Sequence, residues 1–468
     1  MGNATLNSLY RNLGLEDLIE EPAEPAPAED LSGEESVEGE LLEVEEAGSE
    51  VATDNEQAEE LSADVDTLEG VNEAMESAAA NGGLSRDAVI FARLTVDNVR
   101  RRWGIEQDPI PSMESFGDVN SRGAATRLSM EGIGETIKAM WVALMAKLRK
   151  MWESVKGFAI RVTDAAPKLK TRAEAIIKKA GETKGKSKGD KLESFKKLAG
   201  LHLGGKAPAP AAFLSALEGA KEVAVLGLGA KSADTVNAVA DDILKAMDEL
   251  AKDSTRTITG IDKLPEKLGQ YAATLGADKD GGARGGGGTS SKISGELPGG
   301  DCVEVVIGQV KSEAGQPISL NAFANTFSVK IAPHSGKKSA PADEALSTLA
   351  VDEVKKAAGI VVDICKALTD YRNSWKAREA VQKRMDDAVK RAVATVDKKK
   401  EGGAKEAASV KDAAMAVATV WRKTASFDAE VVSYTFRTAR ATLAYCDKSL
   451  NNYGEGEQKA AEGEGAKA

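Results

Sequence analysis

Histidine, cysteine and aromatic residues are scarce in this chain. Its 468 residues include two histidines, three cysteines and 4% aromatic side chains. The cysteines lie far apart without a C-x-x-C pair, so neither a disulfide framework nor a zinc site is predicted. The two histidines are isolated, and no Ser/His/Asp or Cys/His set can be assembled from the spacing. The sequence therefore predicts a protein that is not an enzyme and that carries no metal or cofactor.

Long apolar runs are also missing. The first 18 residues lack the basic and apolar regions of a signal peptide. Leu6 stands where a myristoylation motif requires Ser or Thr, and no run approaches the roughly 20 apolar residues of a membrane-spanning helix. We therefore expect a soluble protein in a reducing compartment.

Two glycine-rich segments invite a phosphate-loop interpretation that their spacing does not support. In GLGAKS, residues 227–232, Ala230 replaces the glycine required before the lysine, and Val225 replaces the opening glycine. A turn between helices is the favoured interpretation. The glycines of 282–288 have no strand before them and no helix after them, so they predict a flexible linker.

Charge is distributed very unevenly along the chain. The formal net charge is −12, but residues 1–131 contain 8 basic and 31 acidic side chains, a net −23. The remainder carries +11, and residues 132–206, with 18 basic and 7 acidic side chains, contain an excess of the same size. Halves of opposite sign indicate an acidic arm joined to a part that contacts polyanions.

The basic part opens with an amphipathic helix predicted over Glu131–Val162. Apolar residues recur at intervals of three and four, which places them on one helical face. That face contains Ile137, Trp141, Leu144, Leu148, Trp152 and Val155. Three interpretations remain open: packing in a helical bundle, insertion in a membrane interface, and contact with a protein partner or an assembled particle.

Basic residues near this helix are candidates for contact with a polyanion. They are Lys147, Arg149, Lys150, Lys184, Lys186 and Lys188. Few aromatic residues accompany them, so binding to nucleic acid would involve phosphates and would be independent of sequence. Ordinary solvated lysines are the alternative.

The predicted fold is mainly α, with a disordered acidic N-terminal arm, a small β element and a long C-terminal antiparallel helix pair. Residues 20–80 are predicted to be disordered from their low hydrophobicity. A second helix is predicted to start at Pro167, a third to cover Asp190–Leu203, and strands to cover Cys302–Val310, Ile318–Phe323 and Phe327–Ala332. The predicted organisation is 1–131 largely disordered with one helix near 84–102, 132–206 basic amphipathic helices, 207–275 a small helical region, 276–300 a glycine-rich linker, 301–335 the β element, 336–453 the helical hairpin and 454–468 a disordered tail.

A small–Met–Glu tripeptide occurs three times in or at the end of the acidic region. The copies are Ser112-Met113-Glu114, Ser129-Met130-Glu131, which Gly132 follows, and a weaker match at Ala74-Met75-Glu76. Proteases require extended and accessible backbone, which poorly structured segments provide. The loop predicted before Ser129 would place that copy within reach of a protease.

Over about residues 70–160, these tripeptides and the basic helix that follows them resemble the internal head (inner-body) proteins of giant-genome tailed phages. The resemblance implies a virion structural protein that is cut by a prohead protease after Glu114 and Glu131. It implies packaged DNA and other head proteins as further partners, with the host cytoplasm as the place of assembly and the head interior as the destination. The alternative function is a membrane-associated protein that uses helix 133–158.

Overall fold

The structure is a computed structural model, and it describes residues 34–105, 108–192, 200–252, 263–282, 289–308, 319–337, 345–398 and 404–453. Helices dominate these residues, as the sequence predicted. They are α1 (Glu34–Ala80), α2 (Arg86–Trp103), α3 (Val119–Glu182), α4 (Pro210–Gly227), α5 (Ala230–Lys252), α6 (Leu264–Thr274), α7 (Leu320–Thr326), α8 (Val351–Asp370), α9 (Trp375–Lys398) and α10 (Ala404–Asn451). The predicted C-terminal tail, 454–468, lies outside the described residues.

Three long helices, α1, α3 and α10, lie side by side. With 64 residues, α3 is about 96 Å long at 1.5 Å per residue. It runs parallel to α10, because Trp152 lies against Trp421 and Lys179 meets Asp447 further along both helices. In contrast, α1 is antiparallel to α10, since Glu59 meets Arg422 and Glu69 meets Lys411.

The predicted C-terminal helix pair is present, but its first arm is bent. It begins at Val351, and a single 3₁₀ turn, Tyr371–Ser374, separates α8 from α9. Both α8 and α9 run antiparallel to α10. Contacts at the two ends fix this direction: Val354 lies next to Cys446, and Arg378 next to Asp428.

A four-stranded antiparallel sheet packs beside α10. Its order is β2 (Lys279–Asp280), β3 (Thr289–Ile293), β4 (Asp301–Gly308) and β5 (Ser328–Pro333). The inner strand β4 buries residues on both faces, including the adjacent Cys302 and Val303. Two shorter strands, β1 (Lys191–Leu192) and β6 (Leu346–Ser347), pair separately. The β element is therefore larger than predicted, because β3 lies in the segment predicted to be a linker.

One predicted strand, Ile318–Phe323, is wrong in its described part because Leu320–Thr326 is helix α7. The Ser319 hydroxyl accepts the amide hydrogen of Ala322 and caps the first turn. A carboxylate of α10 adds to this cap, since Asp412 accepts the Leu320 amide at 2.6 Å. The start of a helix is thus stabilised by a residue about 90 positions away, which local pattern cannot reveal.

The helix start predicted at Pro167 is also wrong, because α3 continues through this proline. Proline inside a helix removes one backbone hydrogen bond and costs about 3 kcal/mol. The apolar face continues on both sides of it, with Val162, Leu169 and Ile176 buried. Packing of that face offsets the local cost. The helix predicted over Asp190–Leu203 is likewise not found in the described part, which contains β1 at Lys191–Leu192.

The largest correction concerns the acidic region, where residues 34–80 were predicted to be disordered and instead form α1. Buried positions recur at alternating intervals of three and four, the heptad pattern of helices that pack side by side. They are Val44, Ala47, Val51, Asp54, Ala58, Leu61, Val65, Leu68, Asn72 and Met75. The acidic composition concealed this periodicity, which was the signal that could have found the helix.

Candidate processing site and charged helix interface

Two of the three small–Met–Glu tripeptides lie inside long helices. Ser129, Met130 and Glu131 belong to α3, which begins at Val119 and includes the segment predicted to be a loop. Ser129 is fully buried, and its hydroxyl donates to the carbonyl of Ala125. Met75, within α1, is also buried. Neither copy offers the extended backbone that a protease binds.

Gly132, after the second tripeptide, has a packing role. A Cβ built at this position would lie 2.9 Å from the Pro109 carbonyl oxygen, too close for any residue with a side chain. The glycine therefore allows the connection between α2 and α3 to pass against α3. Its position after Glu131 has an explanation that does not involve a protease.

The remaining tripeptide, Ser112-Met113-Glu114, lies in the connection between α2 and α3. Ser112 and Glu114 are exposed, Met113 is half-buried, and Met113–Phe116 forms one 3₁₀ turn. Backbone hydrogen bonds of this turn include those from the Ser115 amide to the Ser112 carbonyl and from the Gly117 amide to the Glu114 carbonyl. A single 3₁₀ turn is much easier to open than a long helix. Of the three copies, this one fits a protease cleft best.

The predicted apolar face of α3 is covered by other helices. Ile137, Trp141, Leu144, Leu148 and Val155 are at most 2% exposed, and Trp152 is 6% exposed. The Trp152 ring stacks on Trp375 of α9 with centroids 4.6 Å apart. In the described part of the chain, no helix has the length and apolar character to cross a membrane.

Three carboxylates of α1 pair with cations of α3 and α10. Asp54 accepts a hydrogen bond from Lys147 at 2.5 Å, and Glu59 binds Arg422 at 2.8 Å. Glu69 accepts from Lys411 at 2.7 Å. The side chains of the three cations are only 2–3% exposed. Burial lowers the pKa of Lys147, and the hydrogen bond from Lys147 to Asp54 opposes that effect.

Another carboxylate of α1, Asp66, lies in a crowded acidic environment. Its carboxylate accepts from the Asn321 amide of α7 at 2.6 Å. Burial, together with the charge of Glu69, raises its pKa to about 7. From α10, Asp412 adds a smaller repulsion. Of these acidic side chains, Glu69 is paired with Lys411 of α10.

The raised pKa of Asp66 predicts a stability that falls as pH rises. The ordinary value is 3.8, so between about pH 4 and 7 the folded chain binds more protons than the unfolded chain. Stability contributed by protonated Asp66 is therefore lost as pH rises through 7.

Glu430 adds an effect of the same sign, because burial raises the pKa of its carboxyl group to about 7 as well. We expect a lower melting temperature at pH 7.5 than at pH 5, and a smaller difference in Asp66→Asn. An unchanged difference in that variant would contradict this assignment.

The predicted polyanion contacts differ in their exposure. Lys147 is buried beneath α1, so it cannot contact a polyanion in this structure. Lys184, Lys186 and Lys188 are exposed just after α3 ends. Arg149 is exposed and lies 3.6 Å from Asp386, while Lys150 is half-buried. The accessible positive charge is therefore concentrated at the C-terminal end of α3.

Within the described ranges, no group of three or more His, Cys, Asp or Glu residues is arranged to hold a metal ion. A buried polar cluster surrounds Arg378 at the bend between α8 and α9. It includes Asp428, Ser374 and Tyr371. The adjoining cavity, about 30 Å³, has room for water only.

Comparison with known protein families shows what the chain is related to. Residues 43–448 match the family of phiKZ-like phage internal head proteins. No curated protein and no solved structure is significantly similar to the chain. The match includes α1 from residue 43 onward as well as the bundle that α1 covers.

Proposed function

The chain belongs to the phiKZ-like phage internal head proteins, which makes it a structural protein of the phage head interior, and we propose that it is made as an acidic precursor cut once between Glu114 and Ser115. A prohead protease makes the cut during assembly in the host cytoplasm. The processed chain then associates with packaged DNA and other head proteins, or is ejected with the DNA.

One observation carries the choice of site: only Ser112–Glu114, among the three tripeptides, lies between helices. An exposed glutamate precedes the scissile bond, and the serine two positions earlier is small and exposed. Opening the 3₁₀ turn displaces the buried Phe116 but leaves the long helices on either side intact. Cutting after Glu131 would instead require several turns of α3 to unfold, together with buried Ser129.

The consequence of this cut is a reversal of charge. Residues 1–114 contain 6 basic and 29 acidic side chains, a net −23. Residues 115–468 contain 56 basic and 45 acidic side chains, a net +11. Once the two parts separate, the larger one can neutralise DNA phosphates through counterion release without reading sequence. Lys184, Lys186 and Lys188 offer the first contacts.

The proposal is tested by co-expressing the chain with the prohead protease and measuring intact mass. Wild type should give a product that begins at Ser115. Glu114→Gln removes the charge at nearly constant volume from an exposed side chain, so it should leave the precursor uncut and folded. Glu131→Gln, the matched control, should be cut like wild type. A cut that survives Glu114→Gln and is lost in Glu131→Gln would contradict the proposal.

A further inference from the structure

The helix α1 has an extreme charge composition for a packed helix. Its 47 residues contain 17 Asp and Glu side chains and no Lys or Arg. Its heptad positions bury apolar side chains, yet Asp54, Glu69 and the more exposed Glu59 pair with three deeply buried cations. Charged groups are costly to bury unless they are paired. Each of these cations is therefore tolerated because α1 supplies its partner.

The three ion pairs form a track along the groove between α3 and α10. From Asp54 to Glu69 the helix rises about 22 Å, at 1.5 Å per residue. Over this length one strand of duplex DNA carries about six phosphates. Lys423 adjoins the track and donates to the carbonyl of Phe327 at 2.6 Å. The groove thus contains a line of cations on the length scale of a nucleic-acid contact.

We propose that the groove beneath α1 is a latent binding site for the phosphates of DNA, and that α1 occludes it with its own carboxylates. Lys147, Lys411 and Arg422 are the cations that α1 neutralises. The inference rests on the proposed function, which supplies both the cut that ends the covalent link between α1 and the bundle and the DNA that competes with α1 for the groove.

The apolar floor of the groove explains why the cover is stable before the cut. Buried residues of α1 such as Val51, Leu61 and Leu68 hold the helix in place. When α1 leaves, the aliphatic parts of the two lysines and the arginine can remain on the floor while their charged ends reach the rim, as long cationic side chains commonly do. Phosphates at the rim then replace the lost carboxylates.

The test uses the full-length chain with α1 weakened at its charged contacts. The variant Asp54→Asn/Glu59→Gln/Glu69→Gln, called the loosened chain, removes the three partners of the cations. A matched chain, with the same change in net charge, carries Glu46→Gln, Glu60→Gln and Glu73→Gln at exposed positions of α1. Circular dichroism establishes that both chains are folded. Binding to duplex DNA is then measured against salt concentration.

Three additional phosphate contacts predict a log–log salt slope steeper by about 2.7 in the loosened chain than in the matched chain. This corresponds to a loss of affinity between 50 and 200 mM salt that is about 40-fold greater. Equal affinities and slopes for the two chains would overturn the latent site and leave DNA association intact. Failure of both uncut chains to bind at low salt would also overturn the latent site, but not the DNA association of the cut chain, because residues 1–114 with their net −23 charge are still attached in both.

A reversible covalent lock provides the second variant. A Cβ at Gly48 of α1 would lie 2.9 Å from the Ser433 hydroxyl of α10, which places a cysteine pair at these positions within disulfide reach. The native cysteines are all buried. Oxidised Gly48→Cys/Ser433→Cys in the loosened chain should return the salt slope to that of the matched chain, and reduction should restore the steep slope. No change on oxidation, with the disulfide verified by mass, would overturn the proposal. If the loosened chain does not fold, the single variant Glu59→Gln replaces it, because the Glu59 side chain is 59% exposed. Its matched control is Glu60→Gln. One additional phosphate contact predicts a salt slope steeper by about 0.9 in Glu59→Gln than in this control.

Discussion

Replacing Trp152 by alanine should lower the free energy of unfolding by about 3–5 kcal/mol, the usual cost of deleting a large buried aromatic side chain. Trp152 stacks on Trp375, and its ring centroid lies 6.3 Å from that of Trp421. One side chain of α3 thereby joins α9 and α10. Its removal leaves a cavity where three helices meet, and rigid neighbouring rings can fill that space only in part.

The matched control for this change is Phe91→Ala on α2. Phe91 is 72% exposed, so its loss should change stability by less than about 0.5 kcal/mol. Chemical denaturation of the two variants compares a buried and an exposed aromatic residue. If α3 used Trp152 to bind membranes, the substitution would leave stability nearly unchanged and weaken binding to lipid vesicles. That pattern would contradict the packing described above.

Replacing Asp428 by asparagine should also cost about 3–5 kcal/mol, because it leaves a charged guanidinium buried without its counter-ion. Asp428 accepts from Arg378 Nε at 2.6 Å. The guanidinium also donates to the Gly227 carbonyl and lies 4.6 Å from the centroid of the Tyr371 ring. These contacts join α9, α10 and the end of α4 at the bend after α8.

Two comparisons serve as controls for this prediction. Arg391 and Asp248 form an exposed Arg–Asp pair, so Asp248→Asn should lower the free energy of unfolding by less than about 1 kcal/mol. Replacing both buried partners, as Arg378→Met/Asp428→Leu, should recover much of the loss, because no charge is then left unpaired. A double variant less stable than Asp428→Asn would show that the pair is not the cause.

Periodicity predicted the long helices well where composition agreed with it. The apolar face from Ile137 to Val155 has the spacing of a packed helix and is buried. In residues 34–80 composition and periodicity disagree, and composition misled the prediction. Glutamates on the solvent side do not prevent a heptad of small and apolar residues from packing, and partners such as Lys147 and Lys411 accommodate the acidic residues that face inward.

The candidate site was only partly accessible from sequence. The tripeptides are visible in the chain, but their accessibility depends on contacts that pattern does not encode. Ser129 is buried by the bundle, and Gly132 lies against Pro109 across the connection between α2 and α3. Similarly, Lys147 resembles the other lysines in sequence and differs only because α1 covers it.

The most direct measurement is the N-terminal sequence and intact mass of this chain from purified mature phage particles. The account predicts one species that begins at Ser115, without the 114 residues that carry the net −23 charge. A chain that still begins at or near Met1, in amounts equal to peptides from α10, would contradict it.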